Sequence, residues 1–141
     1  MKVLRVDSNW CMVRIDRGEE VVASLVAFAG EQGVRSAAVS GLGAVTRTRL
    51  AYFDAATKEY RTREFEGVME LVSLTGNLGI FEGRPFLHAH VVLSDEEYRC
   101  HGGHLVSAIV AVTAEFSIQM GGVKLARREN PDLGIKEQDL P

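Results

Sequence analysis

Residues 86–105 read FLHAHVVLSDEEYRCHGGHL, and the folding of this stretch decides both the architecture and the site. Two runs with apolar alternation, residues 86–93 and 99–105, flank a polar acidic segment, which is the pattern of an antiparallel β-hairpin. All four histidines of the chain, His88, His90, His101 and His104, fall inside it. His88 and His90 stand two apart, so in a strand their side chains leave the same face. Their partner across the hairpin depends on the turn. A five-residue loop over residues 94–98 puts His104 opposite His88 and Gly102 opposite His90, with all four positions on one face. A four-residue loop over residues 94–97 instead puts His101 opposite His90 and sends His104 to the other face. A bulge at Gly102-Gly103 fits either register. Alternation therefore offers His88, His90 and one of two partners.

A His-x-His strand pair presents two imidazoles at once, and a third across the hairpin completes a set suited to Zn²⁺, which imidazole nitrogens bind at about 2.0–2.1 Å. Three imidazoles without a fourth protein ligand leave an open coordination position, the arrangement of catalytic rather than closed structural zinc. Two carboxylates stand in otherwise apolar strands, Glu70 in VMELVSL and Glu115 in VTAEFSI. A buried carboxylate needs a partner or a proton, so both are candidates for acid/base work beside the metal or for orienting a histidine. Cys100 shares parity with His104, yet a small half-buried thiol suits it better than a ligand's role.

Outward from the hairpin, residues 11–16 alternate as a strand. Gly18-Glu19-Glu20 then places acidic groups at the positive end of a helix. Val21, Val22, Leu25, Val26, Phe28 and Ala29 recur at helical spacing, and Gly33 can take the left-handed conformation that closes that helix. Residues 36–39 read as a short buried strand, and Gly41-Leu42-Gly43 as a turn between strands. Residues 47–53 and 59–65 read as a hairpin whose exposed face carries Arg47, Arg49, Arg61 and Arg63, a solvated face that discourages edge pairing. Residues 68–74 form an apolar strand and residues 76–83 a glycine-punctuated turn region. Residues 106–120 read as a further strand, with a helix over 106–114 as the alternative. The charged segment from residue 121 to Pro141, which includes LARRENPDLGIKEQDLP, reads as a surface segment or partner-docking arm. The expected fold is α+β, a single domain over residues 1–141 with one main helix and a mostly antiparallel, barrel-like sheet.

At 141 residues the chain is long enough for one well-filled core. A net charge of −3 supplies no general attraction for nucleic-acid phosphates. No run approaches the roughly 18 apolar residues of a membrane span. No signal peptide is visible, and two widely separated cysteines show no disulfide framework, which suits a cytoplasmic location. There is no P-loop or Rossmann fingerprint. Gly83-Arg84-Pro85 lacks the basic flanks of a minor-groove hook.

The series SGLGAV, GVMELVSLTGNL, HAHVVLSD, GGHL and TAEFSI, in this order and spacing, resembles the plant and prokaryote conserved domain (PPC, DUF296) over residues 12–120. The resemblance implies a compact α+β domain that assembles as a homotrimer. It also implies a metal, usually zinc, held by His88, His90 and His104, with His101 a neighbour rather than a ligand. The implied fold is similar to that of acetolactate decarboxylase, a zinc enzyme, which keeps open a zinc-dependent lyase or hydrolase acting on a small metabolite. Plant members bind DNA through separate AT-hooks. None is present here, so a DNA-associated regulator is the third reading.

Overall fold

The computed structural model describes residues 1–140. In chain order the elements are β1 (Lys2–Arg5), β2 (Trp10–Asp16), α1 (Val21–Glu31), β3 (Ala37–Asp54), β4 (Glu59–Phe81), β5 (Arg84–Ser94), β6 (Cys100–Met120), β7 (Ala126–Asn130) and β8 (Ile135–Gln138). The strands form one eight-stranded sheet in the order β1-β2-β6-β3-β4-β7-β8, with β5 joining β4 to β6. Every pairing is antiparallel except the short β4–β7 contact. The four long strands pair in a ring: β3 with β4, β4 with β5, β5 with β6, and β6 back to β3.

The helix follows its sequence signals. Glu20 is the N-cap, and its carboxylate accepts hydrogen bonds from the Val22 and Ala23 amides. The same carboxylate accepts from the Ala108 amide at 3.0 Å, tying the start of α1 to β6. At the other end Gly33 has φ +64°, the Gly33 amide donates to the Gly30 carbonyl and the Val34 amide to the Ala29 carbonyl. This paired closure needs a left-handed residue after the cap. Val21, Leu25, Phe28 and Ala29 turn inward and meet Leu74, Leu78, Val91, Leu93, Phe116 and Ile118 in one core.

Two expected turns are absent. Gly41-Leu42-Gly43 is a bulge within the 18-residue β3, since pairing with β4 shifts register between Gly41 and Gly43 but continues on both sides. A side chain at Gly41 would collide with the Phe116 ring, and one at Gly43 with the backbone of β6. Glycine is here for close approach, not for a turn. Likewise Gly76 lies inside the 23-residue β4, pressed against the backbone of β5, and the chain reverses only at Glu82-Gly83. Residues 106–114 are strand, part of the 21-residue β6.

Two expectations about charged residues also change. A register shift between Thr46 and Thr48 is followed by pairing of Leu50 with Arg63 and Ala51 with Thr62. Opposed residues share a face, so Arg49 lies on the side opposite to Arg61 and Arg63. The C-terminal segment, expected as a surface segment or docking arm, is largely exposed but is built into the sheet: β7 runs beside the end of β4, β8 returns along β7, and Arg127 is 8% exposed. Pro141 lies outside the described residues. Among those residues, no helix is long and apolar enough to cross a membrane.

Phe116 is fully buried against α1 and the Gly41 backbone. Phe116→Ala should lower unfolding free energy by about 3–5 kcal/mol, whereas Glu70→Gln at an exposed position should change it little. Urea titrations of the two variants check this, and equal midpoints would contradict the assigned core.

Candidate metal centre

The β5–β6 hairpin turns through Asp95–Arg99, because Ser94 pairs with Cys100. Asp95 shapes the turn: its Oδ1 accepts from the Glu97 and Arg99 amides, both at 3.0 Å, and its Oδ2 accepts from Arg99 Nε at 2.9 Å. Burial alone would raise the Asp95 pKa, but these donors outweigh it and hold the carboxyl at about 2. Tyr98 at φ +61° completes the reversal. The loop has the expected five residues but begins one residue later than expected. His104 is therefore opposite His90 rather than His88, and Gly102 is opposite Val92. Parity is unchanged by a shift of two in the pairing, so His88, His90 and His104 still share one face.

Potential ligand nitrogens of His88, His90 and His104 all lie within 4.8 Å of one another. Their ring centroids are 5.2–5.4 Å apart. A tetrahedral ion with bonds of about 2.05 Å needs nitrogens roughly 3.4 Å apart, a contraction that rotation of the rings can supply. Neutral imidazole is the form that ligates. Burial, then the charges of Arg127, His104 and His90, pushes the His88 pKa down to about 4. Burial chiefly, with His90 and Arg127 adding to it, also lowers that of His104. The donor set thus fits a divalent ion.

His101 faces the other way. It pairs with Leu93, stacks 5.1 Å from the Phe65 ring and stands 3.4 Å from Asp95 Oδ2, so it supports the turn. Cys100 is an exposed free thiol, and Cys11 a buried one. The carboxylates expected to be buried beside the metal are not: Glu70 and Glu115 are both exposed and neither lines the histidine cavity. Glu70 pairs with Ser94 at the turn end of β5, and Glu115 pairs with Leu42 and Arg14 across β6. Alternation with apolar neighbours had two meanings, and here it marks an outward-facing strand side.

Other residues occupy the place intended for them. A cavity of about 550 Å³ opens over His88 and His104, walled on one side by Arg49, Tyr60 and Thr62 of β3 and β4. Its other wall is the β7–β8 hairpin, which contributes Glu129, Ile135 and Lys136. Beneath it, Arg127 Nη2 donates to Asn77 Oδ1 at 2.7 Å and lies 3.1 Å from His88 Nδ1. Its Nη1 donates to the Lys136 carbonyl at 2.8 Å, and its guanidinium lies over the Phe86 ring. Asn77 is the β4 residue opposite His88. A guanidinium cannot accept, so in the metal-free chain His88 Nδ1 is the acceptor and the neutral ring carries its proton on Nε2; a metal taken by His88 would have to displace the Arg127 contact. Nothing in the charged run ARREN distinguishes the buried Arg127 from the exposed Arg128 beside it.

Residues 7–120 match the family model described as the Plants and Prokaryotes Conserved (PCC) domain. Among solved structures, a Bacteroides thetaiotaomicron protein provisionally named as DNA binding is 33% identical, with 98% of this chain and 96% of that chain covered and a TM-score of 0.94. A metal-containing protein from Archaeoglobus fulgidus is 31% identical, with 98% and 99% covered and a TM-score of 0.86. Acetolactate decarboxylase from Bacillus subtilis subspecies spizizenii, at 15% identity and a TM-score of 0.51 over 86% of this chain and 57% of that one, shares the fold alone. No curated protein matches the chain.

The depressed His88 pKa has a sign that can be checked. Between about pH 6.5 and 4 the unfolded chain binds a proton at this position that the folded, metal-free chain refuses, so stability falls as pH drops through that window. Removing the neighbouring cation makes protonation easier. NMR titration of the metal-free protein should show His88 titrating near pH 4, and higher in Arg127→Met, with burial keeping it below 6.5. An unshifted His88 in the variant would count against the contact.

Proposed function

The chain belongs to the Plants and Prokaryotes Conserved (PCC) domain family, and on that premise we propose that it is a homotrimeric metal-binding protein in which His88, His90 and His104 hold zinc. The observation that carries this reading is the convergence of three potential ligand nitrogens, within 4.8 Å of one another, on one face of a hairpin. Zinc suits an all-imidazole donor set, and the likeness to a metal-containing protein of Archaeoglobus fulgidus supports it. Trimerisation is supported by apolar side chains left exposed on the long strands. Leu42 and Val72 are 58% and 53% exposed and border one surface depression, with Glu115 at its side. Apolar surface of this kind marks contact sites.

One observation favours an enzyme as the second reading: the cavity of about 550 Å³ over His88 and His104 has the size of a small-molecule site. A bound zinc would polarise a carbonyl or activate water in a lyase or hydrolase reaction. Glu129, not Glu70 or Glu115, is the carboxylate lining that cavity. A DNA-associated role draws on the provisional name of the Bacteroides thetaiotaomicron protein, while the net charge of −3 opposes general attraction to duplex. A cytoplasmic location suits two free thiols.

Elemental analysis of protein purified without added metal should find about one zinc per chain, and the His88→Ala/His90→Ala double variant should lose it while keeping its β-rich circular dichroism. Full zinc retained by that variant would reject the site. Sedimentation at micromolar concentration should give the trimer mass for both proteins, and a monomer would reject the assembly.

A further inference from the structure

We propose that Arg49 anchors the carboxylate of a small organic acid that completes the coordination of the metal, an inference that rests on the metal reading above. Three neutral imidazoles bring no negative charge, so a divalent ion held by them keeps its full charge. The cavity adds two cations, Arg49 and Lys136, against one carboxylate, Glu129. A ligand entering it must therefore be anionic to balance the site.

The two cations are not equivalent. The Lys136 ammonium is already placed over aromatic rings, 4.2 Å from the centroid of Phe81 and 5.4 Å from that of Phe86. Arg49 lines the cavity and, although Glu64 is its cross-strand neighbour on β4, forms no ion pair or side-chain hydrogen bond among the described residues. Its place follows from register: Ala51 is directly opposite His104 on β6, and Arg49 is the next residue of β3 on the same face. It thus stands about 7 Å along the strand from that point, a span that a bound molecule of a few heavy atoms bridges. A guanidinium presents a planar pair of donors that matches a carboxylate.

The rest of the lining limits the ligand's body. Phe86, Val106 and Ile135 give the cavity apolar surface, which favours a short hydrocarbon part over a bare inorganic ion. An acid with an oxygen next to its carboxylate, a 2-hydroxy or 2-oxo acid, can ligate the metal through that oxygen while its carboxylate meets Arg49. The guanidinium thereby selects organic acids over neutral carbonyl compounds of the same size.

Calorimetric titration of the zinc-loaded full chain with lactate, pyruvate, acetone and inorganic phosphate tests this. Lactate or pyruvate should bind measurably, and acetone not. Arg49→Ala should weaken the acid by roughly ten- to a hundredfold, the scale of a lost charge-assisted hydrogen bond, with zinc content unchanged. Arg49→Lys should fall between, because it restores charge without the fork. Equal affinity in Arg49→Ala, acetone binding as well as the acids, binding of phosphate alone, or no binding to the zinc-loaded protein would each overturn the proposal and leave the metal site standing. A chain that takes up no zinc would overturn both.

Discussion

The register of the β5–β6 hairpin is the constraint on which the site depends. Pairing of His90 with His104 brings the third imidazole onto the face of the first two, and a slip of one residue would send it to the core side. Two features hold the register. Leu87, Ala89, Val91 and Leu93 are buried on the inner face of β5, so a slip would expose all four. Asp95 fixes the turn length by gathering the amides of Glu97 and Arg99. The carboxylate is stabilised by the turn it organises, which is why its proton is held so weakly. His101, the histidine that faces away, adds a contact to that carboxylate and so helps to place the three that face together.

The long strands serve the same end. β4 pairs with β3 on one side and β5 on the other, and β6 pairs with β5 near its start and β3 beyond. Each histidine strand is thus braced by a neighbour that also reaches the cavity wall, through Arg49 and Ala51 on β3 and Tyr60 and Thr62 on β4. Glycines at positions 41, 43 and 76 allow the strands to approach where side chains would collide. Continuous strands, rather than loops, therefore position the functional groups, and a site on rigid elements holds its geometry better than one on loops.

Much of this was legible in the sequence because two periods are unambiguous. The helical spacing from Val21 to Ala29 and the His-x-His alternation each allow one reading, and the structure has both. Glycine was harder: it serves reversals and close packing alike, so the bulge at Gly41-Leu42-Gly43 and the pressed strand at Gly76 read as turns. Glu70 and Glu115 failed for a related reason, since an alternating strand does not say which side faces the core. The β7–β8 hairpin was hidden by its composition. Its strands are short and charged, and its place depends on two parallel pairs, Ile80 with Ala126 and Phe81 with Arg127, that no local pattern announces.

That hidden element sets the electrostatics of the centre. Arg127 is buried because Asn77, the Lys136 carbonyl and the Phe86 face together satisfy much of a guanidinium. Its remaining reach is to His88 Nδ1, where it opposes protonation. A metal-bound histidine commonly donates its other nitrogen's proton to a carboxylate or carbonyl, which makes the ring a stronger donor to the metal. Here the neighbour is a donor and a cation, so a neutral ring that keeps this contact holds its proton on Nε2. A metal taken by His88 would have to displace the contact, leaving the guanidinium held by Asn77 and the Lys136 carbonyl as a further positive charge beside it. The C-terminal hairpin therefore does more than wall the cavity: through one buried arginine it adds positive charge beside the three histidines, and a centre so charged would favour an anion.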